Sequence, residues 1–153
     1  MHDWHEGRMD ANVDSAPVTV HAVAENFRPV VERLAQLERH DLSEFRGYTL
    51  GADTLTRGLP DGATSIVAFF IVRALRKQGV GHRAAQELLR TQPGRWAIAF
   101  QEENVGVPRF WRHVATATVG FAWREEQQPT PPSALPGTQR DTWLFLDTTA
   151  ASG

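Results

Sequence analysis

Residues 66 to 91, IVAFFIVRALRKQGVGHRAAQELLRT, carry an unbroken apolar run, a basic turn, two glycines one residue apart and an amphipathic segment, in that order. A short run of β-branched and aromatic residues bounded by a polar turn reads as a buried strand, here 66–72. In the following segment Ala84, Ala85, Leu88 and Leu89 share one side of a helix, with Arg83, Gln86, Glu87 and Arg90 on the other. Pro93-Gly94 ends that helix. Residues 95–100, RWAIAF, read as a second buried strand. The whole is a β-α-β unit, and a helical crossover of that kind joins parallel strands.

The turn in this unit suits an anion. The first backbone N–H groups of a helix lack intrahelical partners and carry the positive end of its dipole. Gly79 and Gly81 let a phosphate approach that backbone, and Arg76, Lys77, His82 and Arg83 place basic or titratable groups beside it. The bland alternative is a tight strand-to-helix turn with a solvated basic edge.

A length of 153 residues suits one domain, and 5 Trp with 8 Phe supply bulk for a core. The formal charge of −2 and the scattered basic residues argue against a nucleic-acid stripe or an anionic membrane surface as partner. With no cysteine, disulfides, thiolate metal sites and a cysteine nucleophile are excluded. No stretch approaches the length of a membrane span, and MHDWHEGRMD lacks an apolar signal core, so a cytoplasmic protein is the expectation.

Taken in order, residues 1–15 read as a loose tail, in which His2, Asp3, His5 and Glu6 lack anything to fix a metal geometry. Residues 16–149 form the single domain. A short strand is expected near 17–23 and a helix over about 27–39, where Phe27, Val30, Val31, Leu34 and Leu37 recur at three- and four-residue steps. His40, Asp41 and Glu44 follow as a surface cluster. Residues 46–65 read as a glycine-punctuated loop, with one short strand or hairpin as the alternative. A helix is expected from Val107 to Gly120, and two antiparallel strands over 121–125 and 142–147. The proline-rich stretch 127–140 between those strands reads as an extended surface loop.

Two named patterns overlap in the central turn. Gly79-Val80-Gly81-His82-Arg83-Ala84 spells the dinucleotide fingerprint G-x-G-x-x-A, with Glu102 about 20 residues further on. In that fold the first glycine follows its strand almost at once, whereas six residues separate Val72 from Gly79 here. It also needs further strand–helix repeats, for which only about 70 residues remain. The other pattern, Arg76-Lys77-Gln78-Gly79-Val80-Gly81, spells R-x-x-G-x-G and resembles the acyl-coenzyme A pyrophosphate loop of the GNAT superfamily of N-acetyltransferases. The element order resembles the second half of a GNAT domain, within a group of poorly characterised predicted acetyltransferases. The fold this implies is α/β (α+β), a mixed central sheet flanked by helices, shortened at 46–65 where family members place two further strands.

The resemblance implies acetyl-coenzyme A as cosubstrate and direct transfer of its acetyl group to an amine of an unknown acceptor, with a homodimer left open. It assigns Phe70, Ile71 and Val72 to the strand whose backbone holds the pantetheine arm. It assigns Arg76, Lys77, Gln78, Gly79, Val80, Gly81, His82 and Arg83 to the pyrophosphate, and Asn104 and Trp111 to the thiol end. A base must deprotonate the acceptor ammonium, and Glu102 and Glu103 are the candidates, with His82, His113 or an ordered water as alternatives. Ala68 stands where the group carries Glu. Trp111 stands where a general-acid tyrosine is usual, and an indole donates no proton at useful pH. A non-catalytic acyl-coenzyme A binding protein and a dinucleotide-binding module are therefore the competing expectations. Gly81→Glu is expected to abolish cofactor binding.

Overall fold

The computed structural model describes residues 17–22, 25–30, 32–33, 59–66, 69–129, 136–137 and 140–150. The central elements are β1 (Ala63–Ser65), α1 (Val80–Thr91), β2 (Arg95–Phe100), α2 (Gly106–Val119), β3 (Trp123–Gln128) and β4 (Asp141–Asp147). The four strands form one mixed sheet in the order β1-β2-β4-β3. β1 runs parallel to β2, and β4 lies antiparallel to both β2 and β3.

Strand periodicity explains how the sheet divides its side chains. Successive residues point to opposite faces. On one face Trp96, Ile98 and Phe100 of β2 lie beside Leu146, Leu144 and Thr142 of β4. That face buries itself under Ala85 and Leu89 of α1 and Trp111, Val114 and Ala115 of α2. On the other face Ala97, Trp143 and Phe145 pack with Leu59 and Ala63. β4 is thus apolar on both faces, as a central strand requires. Leu89, Ile98, Leu144 and Val114 are essentially inaccessible to solvent. Of the α1 stripe read from the sequence, Ala85 and Leu89 are buried, Leu88 packs partly buried against the core and Ala84 is only half-buried, and Pro93-Gly94 follows the helix end as expected. Thr148 closes the lower edge of this layer, exchanging backbone and hydroxyl hydrogen bonds with Gly94.

The β-α-β unit is present with its strands parallel, but the first strand is Ala63–Ser65 and not 66–72. Residues 69–72 keep the in–out alternation of a strand without a ladder: Phe70 and Val72 are exposed, and Phe69 packs on the core. Continued past Ser65, the β1–β2 register sets residue 69 opposite 101, beyond the end of β2, so these residues have no β2 ladder to join. Phe69 lies edge-on to Trp111 and against Phe110 of α2, and Ile71 meets α1 at Gly81.

Near the N-terminus, residues 17–22 form no strand and are mostly exposed, because no neighbouring strand pairs with them among the described residues. A 3₁₀ turn, Glu25–Phe27, leads into helical residues 28–30 and 32–33, where Arg28 pairs with Glu25 and Glu32. The expected tail 1–15, the cluster at His40, Asp41 and Glu44, the loop 46–58 and Ala68 lie outside the described residues, as does most of the proline-rich stretch. The closing strand pair is antiparallel as expected, although its first member begins two residues late, at Trp123. No helix among the described residues is long and apolar enough to cross a membrane.

Candidate functional site

The chain directions place one set of loops at the carboxyl ends of the parallel strands β1 and β2. The turn before α1 and the turn before α2 both lie there, and ligands of open α/β sheets gather at that edge. A 3₁₀ turn, Arg73–Leu75, opens the first of these. Arg76 Nε then donates to the Ile71 carbonyl at 2.8 Å, and Gln78 Nε2 donates to the Ala74 carbonyl at 2.8 Å. These bonds fold the loop back on the chain that precedes it.

Two residues of this loop sit in left-handed backbone, Lys77 with φ 61° and Gly79 with φ 71°. Glycine adopts that region freely, whereas a lysine there carries strain of order 1 kcal/mol. Gly79 is the N-cap of α1 and supplies no side chain to the helix's first N–H groups. The N-cap of α2, Val105, offers no capping side chain either. Both helices therefore direct uncapped positive ends toward the same edge of the sheet.

The two glycines of the turn do different jobs. Gly79 is needed for its backbone conformation. Gly81 is needed for space, because a Cβ there would stand 3.1 Å from Ile71 Cγ1 and 3.5 Å from Phe110 Cε2. Its missing side chain thus lets α1 close on Ile71. A glutamate at 81 would strike this packing as well as any ligand, so loss of binding in that variant has two causes.

A cavity of ≈ 400 Å³ lies between the start of α1 and α2, lined by His82, Gly106, Arg109, Phe110 and His113. The α2 members recur at three- and four-residue steps and so form one stripe. The His82 and His113 rings lie 4.6 Å apart, centroid to centroid. Burial, and secondarily the neighbouring His113, hold the His82 imidazole below its ordinary pKa. Phe110 is packed edge-on to His82 on one side and to Trp111 on the other. Trp111 itself is buried among Phe69 and Phe110, as a core aromatic would be.

Glu102 lies in a polar network. It accepts from Arg112 Nη2 at 2.6 Å and from the Thr142 hydroxyl at 3.1 Å. Arg112 reaches Glu125 of β3 with two further bonds, of 2.7 and 3.0 Å, and Gln127 donates to Thr142. Glu125, with Glu102 in a smaller part, raises the Arg112 guanidinium above its ordinary pKa. This cluster ties the end of β2 to α2, β3 and β4, and it occupies Glu102 with two donors. Glu103 is exposed on the same turn. Asn104 braces that turn through its backbone, its N–H donating to Gln101 and its carbonyl accepting from Val107.

The structure thus brings Ile71, Gly81, His82, Phe110 and Trp111 into one packed group, with the Arg76–Gly79 loop beside it. It commits Glu102 elsewhere, to Arg112. Arg109 and Gly106 carry no sequence motif; only their spacing from His113 on one helix face would have picked them out. A second cavity of ≈ 380 Å³ opens at the far end of the sheet, between Arg95, Phe121, Trp123, Arg124 and Asp147. It shares no residue with the first.

No family model, curated protein or solved structure matches the chain.

Proposed function

We propose that the chain is an acyltransferase, moving an acetyl group from acetyl-coenzyme A to an amine. The observation that carries this reading is the Arg76–Gly81 turn. It leaves the carboxyl edge of a parallel strand pair, takes left-handed backbone at Lys77 and Gly79, and opens onto a helix end that no side chain caps. Such a turn offers backbone N–H donors and positive charge to a pyrophosphate. The described elements from β1 onward run β-α-β-α-β-β, with β1 at Ala63–Ser65 and not at the residues 69–72 to which the resemblance assigns the central strand.

The resemblance implies that backbone N–H groups of the central strand stabilise the oxyanion of the attacked thioester. The amine attacks the thioester carbonyl, the tetrahedral oxyanion collapses, and the thiolate leaves with a proton. With Glu102 paired to Arg112, the candidate deprotonating groups are Glu103 and an ordered water. A dinucleotide site is disfavoured, because the sheet closes with the antiparallel pair β3–β4 and not with further strand–helix repeats.

Calorimetric titration of the purified protein with acetyl-coenzyme A, with NAD as control, tests this directly. Saturable binding of acetyl-coenzyme A alone is expected, followed by release of free thiol in an amine screen. Binding without turnover would leave a non-catalytic acyl-coenzyme A protein. Binding of NAD alone would overturn the reading.

A further inference from the structure

The α1–α2 cavity has a wall of one charge character. Arg109 is permanently charged, His82 and His113 are titratable bases, and no carboxylate occurs among its described lining residues. Two imidazoles this close admit two chemistries, a shared metal ion or a shared anion. A protein metal site of useful affinity takes three or more ligands. No group of three His, Cys, Asp or Glu able to hold a metal occurs among the described residues. A cation would also face Arg109 and the positive ends of both helices, while an anion gains from each of them.

We propose that this cavity is a phosphate-monoester site, in which Arg109, His82 and His113 hold the terminal oxygens of a phosphoryl group. Three donors from two helices match a group with three terminal oxygens. A volume of ≈ 400 Å³ leaves room for the sugar or ring that bears the phosphate, and Phe110 offers it an aromatic wall. The charged and titratable groups that share the cavity with His82 are Arg109 and His113 of α2, with Arg83 adjoining it on its own helix; residues 69–72 bring no charge. Since burial disfavours the His82 imidazolium, a bound dianion draws a proton onto that ring.

The site does not depend on acyl transfer. The phosphoryl group is either one carried by coenzyme A or one carried by a separate metabolite, and the test separates the two. Inorganic phosphate is titrated into the full chain while the histidine ring resonances are followed by NMR. Saturable movement of the His82 signals toward their imidazolium positions is expected, with a saturable perturbation of the His113 signals. His113→Gln and Arg109→Gln, both at exposed positions, should each weaken binding roughly tenfold, as the loss of one charge-assisted hydrogen bond implies. Coenzyme A that displaces phosphate, where its 3′-dephospho form does not, identifies the cofactor as the source; phosphate that neither displaces belongs to a separate ligand. Either result upholds the site. An unsaturable response, unchanged affinity in both variants, or Zn²⁺ binding that phosphate fails to oppose would overturn it. Phosphate binding that persists in a protein with no affinity for acetyl-coenzyme A would refute the acyl-transfer reading alone.

Discussion

Replacing Arg112 with Met removes the cation on which two carboxylates converge while keeping much of the side-chain volume. Three N–H···O contacts are lost, one to Glu102 at 2.6 Å and two to Glu125 at 2.7 and 3.0 Å. A hydrogen bond to a charged group contributes about 1.5–3 kcal/mol when it is well shielded. Here the Arg112 side chain is 37% exposed and its partners 35% and 24%, so solvent screens the pairs. A discounted value of about 1 kcal/mol per contact is offset in part because the freed carboxylates can rehydrate. The net expectation is a loss of about 2 kcal/mol, or roughly 4–8 °C in Tm for a chain of this size. Urea denaturation followed by tryptophan fluorescence measures it. Glu125→Gln should lose more than Glu102→Gln, because Glu125 holds Arg112 with two bonds and Glu102 with one. A change below about 0.5 kcal/mol for Arg112→Met would refute the view that this cluster locks β2, α2 and β3 together. Full loss of turnover in a stable Glu102→Gln protein would refute its assignment as structural.

Gly79→Ala should destabilise by about 1 kcal/mol in thermal melts, since an alanine is forced into φ 71°; an unchanged melt would mean that the turn is not left-handed there. His82 gives a pH dependence whose sign follows from its lowered pKa. The unfolded chain binds its proton more readily, so stability is lost as pH falls below the unfolded imidazole value of about 6.5 and levels off below the folded value. His82→Gln should flatten that part of the stability curve, and an identical curve would count against the burial of this ring.

Much of the scaffold was legible from periodicity. Ala84, Ala85, Leu88 and Leu89 marked the apolar side of α1, of which Ala85 and Leu89 are buried, RWAIAF marked β2, and the positions of Pro93-Gly94 and Gly120 marked the helix ends. Each of these depends on interactions within about one turn or one strand, which local sequence encodes. The run at 66–72 was apolar enough for a strand, but hydrophobicity does not say what buries it. Phe69 and Ile71 found the helices, and the ladder went to Ala63–Ser65 instead. Residues 17–22 read as a strand as well, yet no strand among the described residues pairs with them, and a segment gains no ladder alone.

The basic glycine turn was likewise visible in the sequence, because conformation at Gly79 and charge at Arg76 and Lys77 are local properties. The rest of the site was not. Glu102 read as a candidate base at a strand end, and only the fold sets Arg112 and Thr142 against it, from residues 10 and 40 positions away. His82 and His113 stand 31 positions apart in the sequence, and only the packing of α1 on α2 brings their rings to 4.6 Å. The sequence by itself determined which segments could become helix, strand or anion-facing turn, since those follow from short-range sterics and hydrophobic period. Tertiary structure decided which charges meet, because a charge's role depends on its neighbours across the fold.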